Sequence, residues 1–147
     1  MYKVERSALV MHSAAQMYEL VNDVDRYQEF LPWCGGSRVL DQDQYAYTAS
    51  VDIAFKGVSK TFTTRNRVIP DQRTDLTLID GPFSDLSGFW AFKEISPEAS
   101  RISLELNFGF SSKVVEAVLG PVFRIIADSM VDSFRKRADQ VYSKQGA

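Results

Sequence analysis

The groups in this chain that could do covalent or acid–base chemistry are few and scattered. His12 is the only histidine and Cys34 the only cysteine. Nucleophilic catalysis needs a nucleophile beside a base that a third group orients. Neither residue has such company nearby in sequence. His12 falls between a predicted strand and a helix cap, where it is expected as a solvated or capping residue. One Cys and one His cannot complete a standard zinc site without carboxylates. Asp23 and Asp25 have the spacing of paired carboxylates, but the simpler reading is that Asp23 ends a helix and Asp25 caps the next turn. Gly35-Gly36 reads as a turn, and no phosphate-binding glycine motif or nucleophile elbow occurs. The expectation is a non-enzyme with no catalytic residue, no metal and no required cofactor.

Two other constellations point to binding. Tyr27, Phe30, Leu31 and Trp33 crowd into seven residues, beside the helix-stopping Pro32. Such a segment cannot lie in water as an ordinary loop, so it is expected to roof an apolar cavity. The second constellation is basic: Lys56, Lys60, Arg65, Arg67 and Arg73 fall in one predicted hairpin and its exit. Arg65 and Arg67 share a strand face with Thr61 and Thr63, and such a face could track RNA phosphates. On the residues alone, a solvated outer sheet face is the better reading. Arg135-Lys136-Arg137 forms a further cluster near the end of the last predicted helix, where cations suit the helix dipole.

The elements that position these groups follow from periodicity. Residues 2–11 read as a strand. Ser13 and Gln16 make a capping box, and Met17, Leu20, Val21 and Val24 follow at helical spacing. From Gly35 the period becomes two. Residues 45–55 alternate, Lys56-Gly57 turns, and residues 58–68 return with Phe62 on the face opposite Arg65. Residues 74–79, 86–95 and 102–110 continue the series, with Leu86, Gly88, Trp90 and Phe92 on one face. Short turns between consecutive strands imply an antiparallel meander. Val115, Leu119, Val122, Phe123, Ile126, Met130, Phe134, Ala138 and Val141 then mark one long amphipathic helix. Pro121 predicts a break or kink at Gly120-Pro121. The order fits an α+β fold in which a curved antiparallel sheet wraps a long C-terminal helix and leaves an apolar cavity. Tyr27, Phe30, Leu31, Trp33, Trp90, Phe92, Leu106, Phe108, Val122, Ile126 and Met130 are its expected lining.

Composition sets the outer bounds. At 147 residues, 45% hydrophobic and 24% charged, the chain is expected to be one domain spanning 1–147 with a real core. A formal net charge of −2 argues against bulk electrostatic binding to nucleic acid, and no DNA partner is expected. The charged N-terminus does not read as a signal peptide, and no apolar run is long enough to span a bilayer. A cytoplasmic protein is expected, with membrane contact at most peripheral.

The ordered motifs carry a family resemblance. They are residues 18–24, then Tyr27 with Phe30-Leu31-Pro32 and Cys34, residues 59–66, Asp80-Gly81-Pro82-Phe83, and Gly88-Phe89-Trp90-Ala91-Phe92. Together they resemble the helix-grip START-like superfamily (the Bet v 1-like fold). Within it they resemble the coenzyme Q-binding, polyketide cyclase/dehydrase-like family, closest to its branch of bacterial ribosome-association toxins. The resemblance implies a pocket for ubiquinone or a related polyisoprenoid lipid, in support of respiration. For the toxin branch it implies association with the large ribosomal subunit, a block of subunit joining, and a cognate antitoxin. Lys60, Arg65 and Arg67 would then be the ribosome contacts.

Overall fold

The structure is a computed structural model and describes residues 2–142. Strand β1 (Tyr2–Val10) leads into helix α1 (Ala14–Asn22) and a 3₁₀ segment (Val24–Glu29). Six strands follow: β2 (Cys34–Gln42), β3 (Ala46–Phe55), β4 (Val58–Ile69), β5 (Arg73–Asp80), β6 (Phe83–Ser96) and β7 (Ala99–Phe110). Helix α2 (Lys113–Tyr142) is the last of the described elements. All neighbouring strands are antiparallel, in the order β1-β7-β6-β5-β4-β3-β2.

Local chemistry sets each boundary. Ser13 accepts a hydrogen bond from the Gln16 N–H, and the Gln16 side chain accepts one from the Ser13 N–H, so both ends of the capping box are made. Lys56 and Gly57 both take positive φ at the β3–β4 turn, the backbone signature of a tight hairpin. The sheet curves through register shifts in β2, at Thr63/Thr64, and at both ends of the β6–β7 pairing. At Gly88 a Cβ would lie 2.0 Å from the Glu105 carbonyl oxygen. The two strands can approach this closely only because residue 88 has no side chain.

Helix α2 lies in the concavity. Its buried stripe is Leu119, Val122, Phe123, Ile126, Ala127, Val131, Phe134 and Ala138. With 30 residues it spans roughly 45 Å at the usual helical rise. Of the break or kink expected at Pro121, the break does not occur: the helix runs through it. Pro121 is exposed, so the one hydrogen bond it removes leaves a carbonyl that water can reach, while Leu119, Val122 and Phe123 hold both sides of it against the sheet. Two further expectations are corrected. The Arg135-Lys136-Arg137 cluster does not sit in the last helical turn, which holds no basic residue, so the dipole argument does not reach it. His12 is neither solvated nor a cap: it is buried, with Nε2 2.8 Å from Asp139 Oδ1 on α2 and its ring against Tyr142. It joins the end of β1 to the last turns of α2.

Candidate ligand-binding cavity

Between α2 and the concave sheet lies a cavity walled by α1, the 3₁₀ segment, β3 to β7 and α2. About 690 Å³ of empty space lies between its walls, open solvent included, and about 80 Å³ is wide enough for a water molecule's centre. Grooves beside Tyr2 and beside Glu5 admit more solvent, but they lie on the outside and are walled by charged side chains as well as aromatic ones.

Six of the residues expected from sequence do line this cavity: Tyr27, Trp33, Trp90, Leu106, Ile126 and Met130. Five do not. Phe30 is half-buried, packing edge-on against Tyr27 and Phe134 under the Arg137 guanidinium. Leu31 is sealed in the core. Phe92 stacks on Trp90 and meets Tyr18 of α1. Phe108 belongs to an aromatic cluster with Tyr2, Phe110 and Phe123. Val122 is buried away from the cavity. Face periodicity selects the concave side, but it does not tell which part of that side α2 fills.

The residues that sequence reasoning missed are the polar ones. Tyr47, Thr64, Asn66 and Thr74 form a polar patch in an otherwise apolar wall. The Tyr47 and Thr74 hydroxyls both donate to Asn22 Oδ1, at 2.7 and 3.1 Å. Thr64 donates to Asn66 Oδ1 at 2.8 Å. The signal was available: Thr64 and Asn66 share the parity of inward-facing Phe62. Burial pushes the Tyr47 hydroxyl up to about 12, against the Asn66 amide beside it, which favours the phenolate. Burial also raises the Tyr27 hydroxyl well above its ordinary value, and it donates to the Val21 carbonyl. Both phenols are therefore neutral over the physiological range. Trp33 Nε1 is buried without an acceptor.

The other sequence candidates fall outside this site. Cys34 is buried, its thiol raised by that burial and directed at the Gly36 carbonyl, which makes it a poor nucleophile. Asp25 caps no turn; it accepts the Val39 N–H and ties the 3₁₀ segment to β2. Asp23 pairs with Arg26 at 3.2 Å.

On the outer sheet face, Arg65 does not stand free. It is 2.8 Å from Asp41, 3.1 Å from Asp43, and donates to Thr48. Arg67 is exposed and makes no ion pair among the described residues. Lys60 has the parity of Phe62, so strand alternation puts it on the opposite side from Arg65 and Arg67. Arg135 and Lys136 pair with Asp132, and Arg137 with Glu29.

Known proteins share this architecture and sequence. Residues 10–135 match the family described as polyketide cyclase / dehydrase and lipid transport. The ribosome association toxin RatA of Escherichia coli is 48% identical over 97% of this chain and 90% of its own length. The mitochondrial coenzyme Q-binding protein COQ10 homolog B of Xenopus laevis is 28% identical over 95% of this chain and 59% of its own length. The crystal structure of the Zhui aromatase/cyclase from a Streptomyces species superposes with a TM-score of 0.79 at 18% identity, covering 95% of this chain and 94% of that one. At that identity the likeness concerns the fold, the helix grip of seven curved strands around a long helix. With its motifs in family order and the match running from the end of β1 deep into α2, the chain belongs to the polyketide cyclase/dehydrase and lipid transport family.

Proposed function

We propose that this protein binds a hydrophobic small molecule, ubiquinone or a related polyisoprenoid lipid, without turning it over. The observation that carries this reading is the cavity: an apolar wall with one buried polar patch, the usual build of a small-molecule site. Its lining holds no carboxylate, imidazole, thiol or amine among the described residues. Its two phenols titrate too high to exchange protons near neutrality. The space is smaller than the ~300–1,000 Å³ of sites that enclose drug-sized ligands. A lipid therefore enters head first, with its tail displacing side chains along α2 or remaining outside. The COQ10 relative, named for binding coenzyme Q, supports the quinone. Mass spectrometry of organic extracts from natively purified protein tests this reading. A stoichiometric quinone or isoprenoid supports it, and empty protein that also ignores added quinone sinks it.

A second reading is favoured by the 48% identity to a ribosome association toxin. The same cytoplasmic chain would bind the large ribosomal subunit and block subunit joining, restrained by a cognate antitoxin. Exposed Arg67 and Lys60 would carry phosphate contacts, with Arg65 available only if it leaves Asp41 and Asp43. The two readings use different surfaces and are compatible. Cosedimentation with large subunits tests the ribosomal one.

A further inference from the structure

The hydrogen-bond inventory of the cavity wall does not balance. Tyr47, Thr64 and Thr74 each have one hydroxyl proton, and each gives it to an asparagine oxygen. None of these hydroxyl protons is left to donate to a ligand, and the Asn66 amide of the same wall is turned to the Tyr47 hydroxyl. Trp33 is different. It is 5% exposed, its ring is part of the wall, and its Nε1 is sealed from solvent with no acceptor. Buried N–H groups without partners are rare in folded proteins. Packing does not explain this one, since phenylalanine would fill most of the same space with no orphaned donor. The wall also contains no cation among the described residues, so a carboxylate entering it would be an unpaired buried charge.

We infer that Trp33 is the specificity-determining residue of this cavity, its indole N–H donating to the carbonyl or ether oxygen of a neutral ring head. Carboxylate heads are turned away. This inference rests on the ligand-binding reading above and names the chemical class of ligand and the group that recognises it. Size fits the same picture. A cavity of about 150 Å³ holds benzene, so a ring needs the present ≈ 80 Å³ to widen to roughly twice that. Met130 is half-buried in the wall, and its unbranched thioether can yield. Widening the cavity is also what would bring an acceptor to the sealed N–H.

The test uses nitrogen-15-labelled protein and three ring probes: a dimethoxy-methyl-benzoquinone without a tail, an alkylbenzene of similar size, and benzoate. The chain has two tryptophans, Trp33 and Trp90, so two indole cross-peaks are expected, and Trp33→Phe and Trp90→Phe assign them independently. The quinone should shift the Trp33 cross-peak in wild type. Trp33→Phe should bind the quinone roughly three- to tenfold more weakly, the usual worth of one hydrogen bond, and bind the alkylbenzene as wild type does. Benzoate should not bind. An unmoved Trp33 cross-peak on quinone saturation, equal quinone affinity in folded Trp33→Phe, or benzoate binding as tightly as the quinone would each overturn the role of Trp33 while leaving ligand binding intact. If no neutral ring binds wild type at all, the ligand-binding reading fails and this inference with it.

Discussion

Strands β3 and β4 have two faces built on opposite principles. The inner face is apolar apart from Tyr47, Thr64 and Asn66, whose hydrogen bonds run to one another and to Asn22. The outer face is charged, and its charges cancel locally. Arg38 binds Asp52, which also accepts from Thr61, and Arg65 lies between Asp41 and Asp43. Inside, polar groups are scarce and one donor is left over. Outside, charges are plentiful and most are matched. The difference separates two kinds of recognition. An orphaned buried donor discriminates strongly between ligands, because its alternative is no partner at all. A screened ion pair at the surface has water as its alternative and contributes little.

The largest effect that would test this contrast is in the packed wall. Phe134 is fully buried and meets Tyr27, Phe30 and Trp90 edge-on. Phe134→Ala should cost about 3–5 kcal/mol, read as a lower midpoint in urea at unchanged slope. A loss below 1 kcal/mol would mean that the sheet and α2 close over the gap, and that the wall is softer than its contacts indicate.

Next is the hub of the polar patch. Asn22 Oδ1 accepts from both Tyr47 and Thr74, and its amide donates to the Tyr18 carbonyl. Asn22→Leu leaves two buried hydroxyls without acceptors and should cost about 2–4 kcal/mol. Thr63→Ala on the outer face removes only a bond to Ser50 and should cost less than about 1 kcal/mol. Equal losses in chemical denaturation would erase the distinction between the faces.

The inner face also predicts an alkaline limb. Tyr47 is held neutral, its hydroxyl raised to about 12 from an ordinary value near 10. The unfolded chain releases this proton first. The stabilisation is therefore complete below pH ~10 and is lost as pH rises toward 12, by an amount on the order of 2–3 kcal/mol. Tyr27 shifts in the same direction and extends the limb. Tyr47→Phe, compared by melting at neutral and alkaline pH, should lie below wild type at neutrality and flatten the decline above pH 10. An unchanged alkaline slope would mean that Tyr47 ionises freely in the fold.

The grip itself was legible in the sequence, because burial imposes period two on β3 to β7 and a three-four step on α2. The capping box at Ser13 was legible because it closes within four residues. The failures are non-local. His12 meets Asp139, 127 residues away, and Arg65 meets carboxylates set opposite it only by the β2–β3–β4 register. Asn22, beside the helix-ending Asp23, carries no local signal of its role, because that role depends on strands that follow it by 25 and 52 residues. Phe30, Leu31, Phe92, Phe108 and Val122 carry the right polarity for a cavity wall, but α2, its neighbouring aromatics and the 3₁₀ segment fill the space beside them.

The smallest expected effect concerns the outer face and decides how far the ribosomal reading can go. Arg65→Gln should change stability by at most about 1 kcal/mol, since exposed ion pairs contribute little. Its effect on ribosome association should be small as well, because Arg65 must first leave Asp41 and Asp43 to reach a phosphate. Arg67 has no such competitor among the described residues. If it contacts single-stranded ribosomal RNA, Arg67→Gln should lower the slope of log affinity against log salt by roughly 0.7. The double variant should then behave as Arg67→Gln alone in cosedimentation across a salt series, with melting and quinone binding near wild type. A larger loss from Arg65→Gln would mean that the carboxylates release it on contact and that the matched outer face is a resting state. No change in either variant would remove this face from the ribosomal reading and turn attention to Lys60, on the opposite side of the strand.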